Sequence, residues 1–194
     1  MTRTAAVERS TRETTVSVKL DLDGSGDGNI STGVGFFDHL LTSLSHHSLI
    51  DLTVETEGDL HVDDHHTVED TALVLGEALA AALGDRSGIS RFAEARVPMD
   101  EAVAEAVIDV SGRPYAVIEL PFTTDRIGNL TTQNIPHALE AFTRTAGLTL
   151  HLRARGANDH HIAEAAFKAL ARALRGAVAF DPRRSGVPST KGTL

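Results

Sequence analysis

Apolar residues alternate with polar ones through TTVSVKLDL, putting Val16, Val18, Leu20 and Leu22 on one face of a half-buried strand. DGSGDGN follows as a turn, and NISTGVG returns as a second strand. The period then changes. GFFDHLLTSLSHHS places Phe37, Leu40, Leu41 and Leu44 together on a short helix, and LIDLTVETEGDL reads as a third strand. Next, HHTVEDTALVLGEALAAALG carries Val68, Ala72, Leu75, Leu79 and Ala82 at helical steps of three and four. The polar segment 1–13, with three arginines, places the start of ordered structure near Glu13.

The second half repeats this order. EAVAEAVIDVSG and RPYAVIELPF predict a hairpin through Ser111 and Gly112, and NIPHALEAFTRTAG predicts a helix with Pro136 in its first turn. GLTLHLRARG is a strand, followed by the helix HHIAEAAFKALARALRGAVAF with Ala163, Phe167, Leu170, Leu174 and Ala177 inward. These five match the stripe of the first long helix at a constant offset of 95 (68 + 95 = 163, 177 − 82 = 95). Helix N-caps are expected at Asp63 or Asp64 and at Asn158 or Asp159. The chain therefore reads as a duplicated α/β (α+β) fold, two β-β-α-β-α halves packed as one domain with each sheet covered by its helices. Residues 1–194 form a single catalytic domain of two repeats, about 10–94 and 95–182, with a C-terminal substrate-binding tail over 183–194.

The repeat changes the meaning of the histidines. His65, His66 and Glu69 begin the first long helix, and His160, His161 and Glu164 begin the second in the same His-His-x-x-Glu pattern. Residues four apart share a helix face, so His65 converges with Glu69 and His160 with Glu164, whereas adjacent histidines address different targets. Imidazoles with a carboxylate suit a borderline divalent cation. His39 and His137, one on each short helix, complete a candidate set of eight ligands, three imidazoles and one carboxylate for each of two metals. Such a metal keeps positions open for water or substrate. His46, His47, His61 and His151 have no repeat partner and read as ordinary histidines.

Composition narrows the setting. A net charge of −9 argues against a nucleic-acid or anionic-membrane partner, and the absence of cysteine leaves only nitrogen and oxygen ligands. No run is apolar enough for a membrane span, so the expected location is the cytoplasm. Against this acidic background stand Arg91, Arg113 and a basic tail with Ser189, Thr190 and Lys191. Guanidinium, ammonium and hydroxyl donors together fit a phosphate monoester.

The segments RETTVSV, GFFDHLL, DDHHTVEDTALVLGEAL, GISRF, SGRPY, NIPHALEAF, DHHIAEAAFKALARAL and PSTKG resemble imidazoleglycerol-phosphate dehydratase of histidine biosynthesis, in order from Glu8 to Lys191. The resemblance implies removal of water from imidazoleglycerol phosphate to give imidazoleacetol phosphate. It implies that His39, His65, His66, Glu69, His137, His160, His161 and Glu164 bind two Mn ions per active site at subunit interfaces. It implies phosphate binding by Arg91, Arg113, Ser189 and Lys191, with Thr190 beside them, and places Glu13 in the active site. It also implies a homo-oligomer, a twenty-four-subunit shell built from trimers.

The hydrogen to be lost has no neighbouring carbonyl, so the imidazole ring must supply the electronic sink, assisted by metal as Lewis acid and template. Glu13, or a metal-bound water, takes the proton, and Glu13 could instead hold a substrate hydroxyl. Two other classes fit parts of the pattern. A dinuclear metallohydrolase would release free phosphate. A metal-storage or assembly protein would turn nothing over and leaves Arg91, Arg113 and Lys191 without a role.

Overall fold

The alternating strand is the second of four in its sheet. In the computed structural model, which describes residues 2–194, the first half contains β1 (Thr4–Ser10), β2 (Thr14–Asp21), β3 (Gly28–Ser31), α1 (Gly35–Ser48), β4 (Asp51–Gly58) and α2 (His65–Leu83). Val16, Val18 and Leu20 of β2 and Leu52 and Val54 of β4 turn inward and are buried. The second half contains β5 (Phe92–Met99), β6 (Ala102–Asp109), β7 (Tyr115–Glu119), a short ribbon of β8 (Arg126–Ile127) and β9 (Leu130–Thr131), α3 (Asn134–Ala146), β10 (Thr149–Arg155) and α4 (Asp159–Val178).

The two main sheets have the same topology, β1-β2-β4-β3 and β5-β6-β10-β7. Each main sheet thus carries one strand more than the three expected in each half. The extra strands are β1 and β5, edge strands paired antiparallel to β2 and β6. Ordered structure begins at Thr4 rather than near Glu13. β1 earns its place through Ala5, Val7 and the aliphatic stem of Arg9, which turn inward while Thr4, Ala6, Glu8 and Ser10 stay exposed. The guanidinium of Arg9 meets the buried carboxylate of Asp70 on α2, which also accepts the Thr14 hydroxyl. The hairpin expected through Ser111 and Gly112 does not form. β10 lies between β6 and β7, antiparallel to the first and parallel to the second. β3 likewise pairs in parallel with β4. A parallel neighbour needs a long crossover, so no local turn could reveal it.

Helices α1 and α2 cover one face of the first sheet, and α3 and α4 cover one face of the second. The helical layers then pack on each other, α1 against α4 and α2 against α3, as a single apolar core. Both predicted stripes, from Val68 to Ala82 and from Ala163 to Ala177, are buried there. The pairing is crossed. Each helix of one half meets a helix of the other, and this brings the histidines together. No helix among the described residues is long and apolar enough to cross a membrane.

Candidate metal centres and active site

Each long helix starts with a division of labour between two adjacent polar residues. Asp63, just before the N-cap of α2, and Asn158, the N-cap of α4, accept the backbone N–H of His65 and His160 at 2.8 and 2.9 Å. Asp64 and Asp159 are buried instead and hold the segment that runs between the two helix starts. Asp159 accepts the N–H of Thr123 and Thr124 at 2.9 and 2.7 Å, and Asp64 accepts the N–H and hydroxyl of Thr131 at 2.7 and 2.6 Å. One segment of the second half thereby fixes both helix N-termini relative to each other.

Two clusters result, and both cross the halves. His65 and Glu69 of α2 meet His137 of α3, with Nε2 to carboxylate distances of 3.6 and 3.4 Å. His160 and Glu164 of α4 meet His39 of α1, at 2.8 and 3.2 Å. In each trio the three ligand atoms lie within 4.8 Å of one another. Ligands about 2.0–2.2 Å from one divalent ion sit roughly 3 Å apart at right angles, so small inward shifts suffice to close a metal site. The donor set is two imidazoles and a carboxylate. His137 Nε2 is buried with no hydrogen-bond partner among the described residues, a position that an ion would satisfy. His65 Nδ1–H donates to Asn134 Oδ1 at 3.1 Å, which leaves its Nε2 lone pair free for a metal.

His66 and His161 belong to neither trio. Their rings stand nearly perpendicular to those of His65 and His160, at 79° and 84°, and face away. His66 Nδ1–H donates to Asp59 at 3.0 Å, and His161 Nδ1–H donates to Glu101 at 2.7 Å. These hydrogen bonds raise the pKa of both histidines. The bond from His161, then the Asn158 N–H, holds the Glu101 carboxyl down to about 2. Burial works to raise Glu164, but Lys168 at 2.6 Å, His39 and His160 outweigh it and bring its pKa to about 2. Of the eight candidate ligands, one chain thus assembles three and three, with the seventh and eighth pointing outward.

Glu13 sits in the tight turn joining β1 to β2, where Thr11 Oγ1 accepts the N–H of both Glu13 and Thr14. Its own carbonyl accepts the Asp59 N–H, and its carboxylate lies 3.9 Å from His66 Nε2. The basic residues gather elsewhere. Arg91, at a left-handed φ of 73°, grips Asp109 with two N–H groups and gives a third to the Pro188 carbonyl at 2.8 Å. Arg113 reaches the same Asp109 at 3.5 Å. Arg91, Arg113 and the start of the Ser189–Lys191 segment therefore converge on one carboxylate. Three of the five guanidinium N–H groups of Arg91 are engaged, and two remain for a ligand. The Ser189 hydroxyl accepts the Lys191 N–H at 3.2 Å, and the side chains of Thr190 and Lys191 are exposed.

Asp109 ends β6 and Glu101 precedes it. Eight residues of strand at ~3.3 Å each put roughly 26 Å between this basic group and His161 of the same chain. Sequence reasoning missed the roles of Asp59, Glu101, Asp109 and Lys168. His47, read as an ordinary histidine, has its pKa lowered by burial and then by His46, Lys168 and Arg172. Glu101 had a legible signal, since it precedes β6 as Glu13 precedes β2.

Comparison with known proteins identifies the family. A model of the family described as imidazoleglycerol-phosphate dehydratase matches residues 32–174. The imidazoleglycerol-phosphate dehydratase of Acidiphilium cryptum is 55% identical over 196 residues, covering 100% of both chains. That of Sinorhizobium fredii is 53% identical, covering 100% of this chain and 97% of its own. The crystal structure of imidazoleglycerol-phosphate dehydratase from Staphylococcus aureus superposes with a TM-score of 0.83 at 34% identity, over 92% of this chain and 99% of that one. IGPD from Pyrococcus furiosus superposes at 0.82 with 33% identity, over 97% and 100%. The chain belongs to the imidazoleglycerol-phosphate dehydratase family of hydro-lyases.

Proposed function

We propose that this chain dehydrates imidazoleglycerol phosphate to imidazoleacetol phosphate in histidine biosynthesis, in the cytoplasm, using two Mn ions per active site. The observation that carries the metal reading is the pair of crossed trios, each with two imidazoles and one carboxylate. Their fourth ligands, His66 and His161, face out of the chain that holds them, so each ion is completed by a neighbouring subunit.

The same division applies to the substrate. Glu13, more than half exposed, is placed to accept the carbon-bound proton beside an outward-facing imidazole. Arg91, Arg113, Ser189, Thr190 and Lys191 hold the phosphate from another chain, consistent with the roughly 26 Å of strand that separates them from His161. Bound divalent ions would supply Lewis acidity toward the substrate ring and hold it in place. The phosphate grip keeps the reacting carbons in register with Glu13, and the hydroxyl lost from the adjacent carbon leaves as water.

The assembly the family resemblance implies is a shell of twenty-four subunits built from trimers. Leu60 and Val62 are exposed just before α2, and Phe92, Val107 and Tyr115 are exposed on the second sheet. Such apolar groups mark surfaces that neighbours cover. Purified native protein should contain Mn, and chelation should reduce the large particle to smaller oligomers, about trimers, and abolish turnover. Returning Mn should restore both, because a ligand shared between chains links binding to association. Light scattering during a chelator titration tests this, and a particle that stays whole without metal refutes shared sites. Release of inorganic phosphate in place of the enol absorbance of the product would refute dehydration.

A further inference from the structure

Between the two halves, matched strand by strand, one supporting carboxylate occupies different positions. β2 and β6 are both eight residues long and both lie second in their sheets. Matching Thr14 to Ala102 (102 − 14 = 88) matches Glu13 to Glu101 (13 + 88 = 101). β4 ends with Gly58 opposite Thr14, and in the second half Gly156 lies against Ala102, so Asp59 corresponds to Ala157.

The outward histidines are nevertheless treated alike. In the first half, Asp59 holds His66 Nδ1, and the Glu13 carboxylate accepts no hydrogen bond among the described residues. In the second half, the Asp59 position is an alanine and Glu101 has taken over. One oxygen of Glu101 accepts His161 Nδ1–H at 2.7 Å, and the other accepts the N–H of Ala157 and Asn158 at 3.1 and 2.9 Å. Both oxygens are committed.

We propose that Glu101 is the positioning residue of His161, holding Nδ1–H so that Nε2 faces outward for a metal, as Asp59 does for His66. By this assignment the two repeats supply the same support from different strands, and only in the first half does that leave the acid before the second strand, Glu13, free for substrate. Outer carboxylates of this kind fix the histidine tautomer and raise its basicity as a ligand. The proposal rests on reading His66 and His161 as metal ligands.

The test is Mn binding by the chelated full-length protein, followed by electron paramagnetic resonance, with unfolding of the metal-free form measured alongside. Wild type should bind two equivalents per chain tightly. Glu101→Ala should weaken one of them about 10- to 100-fold and spare the other. Glu101→Gln should do the same while the fold persists, because an amide has one acceptor oxygen and cannot serve both His161 and the two backbone N–H groups. Glu13→Ala should leave both sites intact. Adding Ala157→Asp to Glu101→Ala should restore the weakened site, and failure to restore it overturns the equivalence of these two positions. His161→Ala separates the premises. If it loses a site while Glu101→Ala and Glu101→Gln bind as wild type, the positioning role is wrong and the ligand reading stands. If His161→Ala keeps both tight sites, the ligand reading falls and the proposal with it.

Discussion

The two inward clusters present the same ligands in different surroundings. Glu164 is the drier carboxylate: its side chain is 9% exposed, Lys168 touches it at 2.6 Å, and the Phe36 ring lies 4.9 Å from that of His160. Glu69 is wetter at 26% exposed, and Arg144, itself 61% exposed, lies 3.6 Å away. The two halves share a topology and the same candidate ligands, and the walls around them differ. A buried carboxylate needs a close counter-charge, whereas a hydrated one tolerates a distant one. The cluster around Glu164 therefore depends on its neighbour when metal is missing, and the cluster around Glu69 does not.

The sharpest way to break this contrast is to remove the carboxylates. Glu69→Ala and Glu164→Ala should each lose one Mn equivalent, read by elemental analysis, and lower kcat/KM by more than the ~100-fold that supporting residues cost. Full occupancy in either variant removes that residue from the ligand set. Glu13 belongs to neither cluster, and Glu13→Gln should cut kcat far more than it changes KM. A change in KM alone would make it a binding residue. Arg91→Ala and Lys191→Ala should weaken phosphate-dependent binding by roughly 10- to 150-fold with metal content unchanged, the worth of a charge-assisted hydrogen bond.

Smaller effects separate the clusters directly. In the chelated protein, Lys168→Met strands a buried carboxylate and should cost about 1.5–3 kcal/mol, or a Tm lower by roughly 3–12 °C. Arg144→Met should cost under ~1 kcal/mol, as exposed pairs do. Equal losses in calorimetry would show that the two walls are equivalent after all. The outward histidines should respond alike in both halves. His66 and His161 have raised pKa values in the metal-free chain, so their stabilisation is complete below the ordinary value near 6.5 and lost as pH rises through the raised one. The Tm of the chelated protein should thus fall as pH rises above ~6.5, whereas acid should strip Mn from the loaded protein, because metals bind only neutral imidazole.

Much of this was legible because it is periodic. The stripes of α2 and α4, the inward face of β2 and the doubled His-His-x-x-Glu are local patterns. β1 and β5 escaped because an edge strand exposes every second residue, and charged Glu8, Arg9, Glu94 and Arg96 mask the few apolar ones. The parallel placement of β3 and β7 escaped because it is decided by crossovers, not by turns. In the site, the pairing of His65 with Glu69 followed from helical spacing, but that of Glu101 with His161 spans 60 residues and left no spacing to read. Lys168 stands at i,i+4 from Glu164, a spacing that on sequence alone reads equally as an ordinary exposed helix pair.

The crossed packing of α1 on α4 and α2 on α3 has a consequence for ancestry. His39 completes the trio of the opposite half, and His137 does the same in return. Two separate copies of a single half, related by a twofold axis, would meet isologously and already contain two identical trios. Such a half-length dimer would bind metal only as concentration allowed. Joining the copies end to end makes the encounter intramolecular, at an effective concentration set by the connecting segment. It also lets each trio evolve alone, so that one could acquire a lysine and a phenylalanine while its twin stayed open.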